Sequence, residues 1–375
     1  MADVGELSLA AVAVGSKRVE LREFPLPEPH DTGGLLRVEA CGVCGSDIKK
    51  YGVTHMLPTI LGHESVGRIA RVGETAKRRW GVSEGDQVLL EEYLPCGHCV
   101  DCRSGEFRSC NQTDNHLQGG RAIRYGSTPV EVPPALWGGY SEYQYLHPSS
   151  VIHRVPDGVP AEHAAFALPL SNGIQWTQLD AGVRMGDVVV ILGPGQQGIG
   201  CLIASRAAGA GRVIVSGVSR DRARLELARE LGADRVVDVD AESLVDVVDD
   251  VTEGLGANVV IDASGAGVAS LESGIAVVHK RGTVVLASGS TGSPVRIDVT
   301  QIRRKQLRVL GVRGHSYRAV ELALAIIGAG SLPLGRIGGP PFKLSETEAA
   351  LRAIDGRDGY DEVHAAVVPD RAVGR

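Results

Sequence analysis

The feature that most restricts the fold is the run Val188–Leu192, followed at once by Gly193-Pro194-Gly195-Gln196-Gln197-Gly198. An unbroken stretch of valine, isoleucine and leucine reads as a strand buried on both faces, which requires a sheet covered on both sides. The residues that follow, Gln197–Ala208, read as a helix, so the glycines sit on a strand-to-helix turn. Glycine there lets the chain turn tightly and lets a ligand approach the main chain. A pyrophosphate suits the position, because the start of a helix presents free N–H groups. G-x-G-x-x-G alone is a weak signal; between a buried strand and a helix it predicts dinucleotide binding at Gly193, Gly195, Gln197 and Gly198.

The same style continues on both sides of this turn. Short apolar runs at Arg212–Val215, Arg235–Val239, Asn258–Ile261, Thr283–Leu286 and Gln306–Leu310 alternate with helical segments such as Arg222–Leu231. Alternation of this kind predicts a parallel, doubly wound sheet. Residues 1–160 read differently, as brief strands (Ala11–Val14, Leu35–Glu39, Gly67–Val72, Gln87–Leu90, Tyr140–Leu146) cut by glycine, proline and acidic turns. After Gly314 come one helix, Tyr317–Gly328, and a late strand-like run, Val363–Val368. The chain is therefore expected to be α/β, with a mainly-β domain from 1–160 and 315–375 and a parallel-sheet domain, 161–314, inserted into it. Its 375 residues suit two domains of ordinary size.

Charge and hydropathy exclude several roles. Lys plus Arg is 39 against 45 for Asp plus Glu, so no basic surplus points to nucleic acid. No stretch approaches the ~20 apolar residues of a membrane helix. Met1–Lys17 carries Asp3 and Glu6 where a signal peptide is basic, and the expected compartment is the cytoplasm.

Four of the seven cysteines fall in Cys96-x2-Cys99-x2-Cys102-x7-Cys110. Two-residue gaps let one tight loop turn its thiolates to a common point, and four thiolates close the tetrahedral shell of zinc. An iron–sulfur cluster or a disulfide pair are the other uses of such a set. A closed zinc shell is structural, and His98 inside the loop reads as a bystander. A second constellation, Cys44-Gly-Ser46-Asp47 followed by Gly62-His63-Glu64, offers a thiolate, an imidazole and a carboxylate on two loops.

Taken in order, Gly-Val-Cys44-Gly-Ser-Asp, Gly-His63-Glu64, the four-cysteine loop and the glycine turn resemble the zinc-containing medium-chain dehydrogenase/reductase family. Asp157-Gly-Val-Pro160 and Leu231-Gly-Ala-Asp234 are similar to it as well, and the likeness spans essentially the whole chain. The resemblance implies a GroES-like catalytic domain, a Rossmann cofactor domain, a cleft between them, and a homodimer or homotetramer. It implies hydride transfer between a nicotinamide cofactor and an alcohol/carbonyl pair, with two zinc ions per chain. Cys44, His63 and Glu64 match ligands of the catalytic zinc, and Cys96, Cys99, Cys102 and Cys110 match the structural site. Asp47 matches the group that orients the zinc histidine, and Ser46 the hydroxyl that meets the substrate oxygen. Ser264 lines the nicotinamide side by the same analogy.

Two departures from the pattern bear on the chemistry. The position where relatives supply a further zinc-site residue is Leu168, so water takes the fourth place. The relay histidine is replaced by Lys49, with Tyr51, His55 or solvent as substitutes. An NAD site normally puts an acid after the second strand; here the residues are Ser216-Gly217-Val218-Ser219-Arg220-Asp221. The acid's position falls at Gly217 or Ser216, so no carboxylate repels a 2′-phosphate. Ser219, Arg220 and Arg222 suit that group, and NADP is favoured over NAD, while Asp221 is placed to take the acid's role for NAD. The alternatives are a C=C or C=N reductase of the same fold with a vestigial zinc site, for which Leu168 speaks, and a non-catalytic NADPH-binding protein.

Overall fold

Val188–Leu192 forms the middle of a six-stranded parallel sheet in a computed structural model of the chain, which describes residues 6–114, 117–119, 122–265, 267–287, 297–355 and 360–370. Asp3, used above in reading the N-terminus, lies outside these residues. From edge to edge the strands are Arg235–Asp238, Arg212–Gly217, Val188–Leu192, Ala257–Asp262, Val278–Leu286 and Arg308–Gly311. Counted along the chain, this is the order 3-2-1-4-5-6, whose reversal falls between the first and fourth strands. Open sheets of this kind take ligands at that point, beyond the carboxyl ends of the strands.

The apolar composition has its expected cause. Val190, Leu192, Ile214, Val237, Val260 and Val284 pack into one core with Val247, Val248, Leu271 and Ile275 of the covering helices. Each such side chain contributes about 1.5–3 kcal/mol relative to exposure. Helix Gln196–Ala207 follows the central strand and helix Arg222–Glu230 the second.

The other part of the chain is built on a seven-stranded sheet. Its path runs Phe342–Lys343, Ala366–Val368, Gly34–Gly42, Glu64–Val72, Gln87–Leu90 and Ile152–Arg154, with Tyr143–Leu146 also paired to Gly34–Gly42. Leu7–Gly15 pairs with Arg18–Pro25 and Thr59–Ile60 in a second, smaller sheet. Leu36, Val38, Ile60, Leu61, Ile69, Val88, Leu90, Tyr125, Trp137 and Tyr140 belong to the core between these strands. The chain separates into two compact units, Met1–Leu168 with Leu324–Tyr360 and His364–Arg375, and Pro169–Ala323 with Asp361–Val363. No helix among the described residues is long and apolar enough to cross a membrane.

Several details differ from expectation. The last segment holds two more helices beyond Tyr317–Gly328, namely Leu334–Ile337 and Thr347–Ile354. The strand expected from Tyr140 begins at Tyr143, because Tyr140 is turned into the core and its N–H bonds the Leu61 carbonyl. The metal-ligand "loops" are partly regular: Ser46 and Asp47 lie in helix Gly45–Tyr51, and Glu64 opens a strand. That helix forms because the Asp47 carboxylate accepts from the Cys44 N–H at 3.1 Å, which caps the first turn.

A half-buried ion pair joins Glu92 to Arg124. The Arg124 guanidinium lies 2.7 Å from a Glu92 oxygen and 4.8 Å from the centroid of the Tyr93 ring. Burial alone would raise the Glu92 carboxyl, but Arg124 prevails and holds it at about 2. An acid with a lowered folded pKa stabilises the fold above its unfolded value, and that stability is lost as pH falls through the folded value. Glu92→Gln is therefore expected to lower stability at pH 7 by on the order of 2–3 kcal/mol. The variant is also expected to flatten the loss of stability between pH ~4.3 and ~2, where the carboxylate takes up its proton. Denaturant unfolding across that pH range checks this; parallel pH curves for both proteins would show that the pair carries no folding energy.

Candidate active site

The two metal-ligating groups foreseen from sequence are both brought together. Cys44, His63 and Glu64 each offer one donor atom, and the three lie within 4.8 Å of one another. Cys44 stands at the start of helix Gly45–Tyr51, while His63 and Glu64 sit where the chain enters strand Glu64–Val72. His63 and Glu64 are buried and Cys44 is half-buried.

Asp47 organises this cluster. It is 0% exposed, and its carboxylate accepts from the N–H of Cys44 at 3.1 Å, the N–H of Gly62 at 3.3 Å and the Tyr140 hydroxyl at 3.2 Å. Its other face lies 3.3 Å from His63 Nδ1. Burial opposes a charged imidazole, but the Asp47 carboxylate prevails and holds His63 well above its ordinary value. For the same reason Asp47 stays below the usual carboxylate range although burial acts the other way. With Asp47 at Nδ1, the His63 ring presents Nε2 as its donor, and Ser46 Oγ is 3.5 Å from that nitrogen. A thiolate, an imidazole backed by a carboxylate, and a second carboxylate form a donor set that fits zinc. Leu168 is buried and supplies no donor atom.

The four-cysteine loop converges as well, with its sulfurs within 4.8 Å of one another. Cys96 and Cys102 sulfurs are 4.0 Å apart, close to the ~3.8 Å edge of a tetrahedron with ~2.3 Å bonds to zinc. Backbone N–H groups point at the sulfurs, from Cys99 to Cys96 at 3.3 Å and from Cys102 to Cys99 at 3.4 Å. N–H groups of His98 and Cys99 bring the Cys96 thiol down to about 6, whereas burial pushes the Cys102 thiol up. All seven cysteines are free, so the disulfide alternative falls away. The His98 ring is exposed and lies against the Cys96 carbonyl at 2.9 Å.

The glycine turn also has the form that a dinucleotide needs. A Cβ on Gly198 would sit 1.9 Å from the Gly193 carbonyl oxygen, so only glycine fits there. A Cβ on Gly195 would meet nothing within 4 Å, which leaves open space beside the main chain at the helix start. Next to it, both amide atoms of buried Gln196 and Oε1 of Gln197 have no hydrogen-bond partner. Gly193 packs against the Ser264 backbone, and the Ser264 hydroxyl bonds Asp262 Oδ1 at 2.8 Å. Ser216 is buried at the end of its strand, and its carbonyl accepts from the Gly193 N–H at 2.8 Å. Ser219 is already engaged: its hydroxyl bonds Asp238 at 2.7 Å and its N–H bonds Asp240 at 2.9 Å.

Some expected roles do not survive. The Tyr51 hydroxyl is committed to the Lys17 carbonyl at 2.6 Å, so Tyr51 is no substitute for the relay histidine. Lys49 and His55 are exposed. Sequence reasoning missed the part played by Tyr140 and missed His364 entirely. His364 Nε2 lies 3.4 Å from Glu64 Oε2. Its only local signal is a polar residue inside the apolar run Val363–Val368.

Residues 30–157 match the alcohol dehydrogenase GroES-like domain, and residues 198–328 match the zinc-binding dehydrogenase family. A probable alcohol dehydrogenase of Mycobacterium tuberculosis is 38% identical over 373 residues, covering 97% of this chain and 99% of that protein. The chain belongs to the zinc-binding alcohol dehydrogenase family. An erythritol/L-threitol dehydrogenase of Mycolicibacterium smegmatis is 30% identical over 382 residues, covering 98% of this chain and 99% of the relative. The crystal structure of a putative zinc-binding dehydrogenase from Sinorhizobium meliloti bound to NADP superposes with a TM-score of 0.81 at 26% identity, over 97% of this chain and 100% of the other. This chain is thus a zinc-dependent, NAD(P)-linked oxidoreductase of the alcohol dehydrogenase type, and both clusters of side chains that could hold a metal are present.

The dehydrogenase should be intolerant of bulk at its glycine turn. Gly198→Ala is expected to lower nicotinamide-cofactor affinity at least ~10-fold while the zinc content stays unchanged, since the added methyl has to displace the Gly193 carbonyl. Cofactor titration by fluorescence measures this, and unchanged affinity would remove the turn from the binding site.

Proposed function

We propose that Cys44, His63 and Glu64 hold the catalytic zinc, that Asp47 orients His63, and that Cys96, Cys99, Cys102 and Cys110 hold a structural zinc. The observation that carries this is the convergence of one thiolate, one imidazole and one carboxylate on a point, with a fully buried carboxylate behind the imidazole. The Asp47 contact fixes the ring tautomer and strengthens Nε2 as a donor. A bound zinc supplies a redox-inert Lewis acid that polarises the substrate oxygen. A bound nicotinamide supplies the hydride acceptor or donor.

The chain's own side chains do the rest. Ser46 Oγ, beside the metal histidine, takes the proton of the substrate hydroxyl in oxidation and returns it in reduction. With Tyr51 bonded elsewhere and Lys49 in solvent, the proton passes from Ser46 to water. Gly193, Gly195, Gln197 and Gly198 hold the diphosphate at the start of helix Gln196–Ala207, and Ser264 borders the nicotinamide. Leu168, apolar and buried, favours alcohols of medium size over small polyols. The division into residues 1–160 with 315–375 and 161–314 follows from the strand and helix pattern, a cytoplasmic location from the acidic N-terminal segment, and a homodimer or homotetramer from the family resemblance.

Cys44→Ala or His63→Ala is expected to abolish turnover and leave cofactor binding intact. Steady-state oxidation of an alcohol panel, run beside cofactor titration, tests this; alcohol oxidation retained in either variant would reject zinc catalysis at this site.

For the cofactor we propose NADP over NAD. Gly217 ends its strand without a carboxylate, and Arg220 follows on an exposed turn. The NAD reading has its own support in Asp238 and Asp240, whose carboxylates surround Ser219 and would repel a 2′-phosphate there. Arg220→Ala is expected to raise KM for NADP roughly 10-fold or more and leave KM for NAD nearly unchanged, as befits loss of a charge-assisted phosphate contact. Equal effects on both cofactors would favour NAD.

A further inference from the structure

Glu64 is the least constrained of the three proposed metal ligands. Its carboxylate has two equivalent oxygens on a side chain with several rotatable bonds, and it needs something to aim it. His364 is in position to do so. Its Nε2 lies 3.4 Å from Glu64 Oε2, and the two residues are 2% and 3% exposed.

The main chain at His364 is held on both sides: its backbone N–H donates to the Ile337 carbonyl at 3.1 Å, and its backbone carbonyl accepts from the Tyr360 hydroxyl at 3.2 Å. The ring stands edge-on to Phe166, with centroids 5.5 Å apart and planes at 71°. Gly42 makes the meeting possible. A Cβ there would lie 2.2 Å from Glu64 Oε2 and 2.8 Å from His364 Nε2, so any other residue would fill the space the two groups share. Packing against Phe166 needs only an apolar side chain, whereas a ring nitrogen facing a carboxylate oxygen supplies a donor to a group that only accepts when ionised.

We propose that His364 is a positioning residue for the metal site: it holds Glu64 Oε2 and thereby keeps the carboxylate turned toward Cys44 and His63. This rests on the reading of Cys44, His63 and Glu64 as the zinc group. The effect is large in this chain because Leu168 adds no fourth donor, so a misdirected Glu64 leaves the metal with two protein ligands. Groups that orient a ligand from behind typically change metal affinity 10–100-fold.

The test compares the full-length dehydrogenase with His364→Leu, which keeps apolar bulk, and His364→Gln, which restores an N–H donor at similar reach. Zinc per chain, zinc release to a chromophoric chelator and the visible spectrum after refilling with Co2+ are the readouts. The leucine variant is expected to keep the four-cysteine zinc, to release the second zinc with ~10–100-fold weaker affinity, and to show an altered Co2+ spectrum. The glutamine variant is expected to recover most of that affinity and the original spectrum. Wild-type affinity and spectrum in the leucine variant would overturn the proposal. So would a glutamine variant as weak as the leucine one, since the contact would then be packing alone. A wild-type protein with a single zinc, unchanged by Cys44→Ala, would place the error in the metal reading itself and remove the proposal with it.

Discussion

A carboxylate with no access to water is costly unless every oxygen is satisfied, and the catalytic unit is arranged around one such group. Asp47 draws the N–H of Cys44, the N–H of Gly62, the hydroxyl of Tyr140 and the ring of His63 to itself. Three separate stretches of chain are fixed by that requirement. The start of helix Gly45–Tyr51 sets the Cys44 thiol, the turn at Gly62 sets the His63 ring, and Tyr140 closes the group from the core. Two of the three metal ligands, Cys44 and His63, are thus set by chain segments that pair one buried charge.

Fixed main chain plays the same part at the nucleotide turn. The parallel sheet reverses its order beside Val188–Leu192, and that reversal opens the end of the strand to a ligand. Gly198 lies too close to the Gly193 carbonyl for any side chain, while the space beside Gly195 stays open. Beside it, both amide atoms of Gln196 and Oε1 of Gln197 are buried without a hydrogen-bond partner. Both sites thus use glycine where backbone must approach closely and polar groups where a charged guest belongs.

Much of this was legible in the residues. Period and composition gave the parallel sheet nearly strand for strand, since a strand buried on both faces has to be continuously apolar. The four-cysteine spacing and the Cys44, Ser46, Asp47, His63, Glu64 set were visible because metal ligands recur at short, local separations. The helix after Cys44 was missed because two adjacent motifs read as loops, and its formation depends on a single capping carboxylate. Proximity along the chain makes Tyr51 a relay candidate, whereas its hydroxyl is drawn to the Lys17 carbonyl, a partner 34 positions away.

The sequence alone determined the class of chemistry, because thiolates, imidazole, carboxylates and a glycine turn restrict which metals and cofactors can bind. It also determined the sheet type, because periodicity reports how many faces of a strand are buried. Only the tertiary structure decided which group stands behind Glu64. His364 lies 300 positions from Glu64 and meets it only because strand Ala366–Val368 pairs with Gly34–Gly42, which carries the gap at Gly42. Contacts at such a distance leave no local pattern, so this partner of Glu64 was written in the fold and not in any motif.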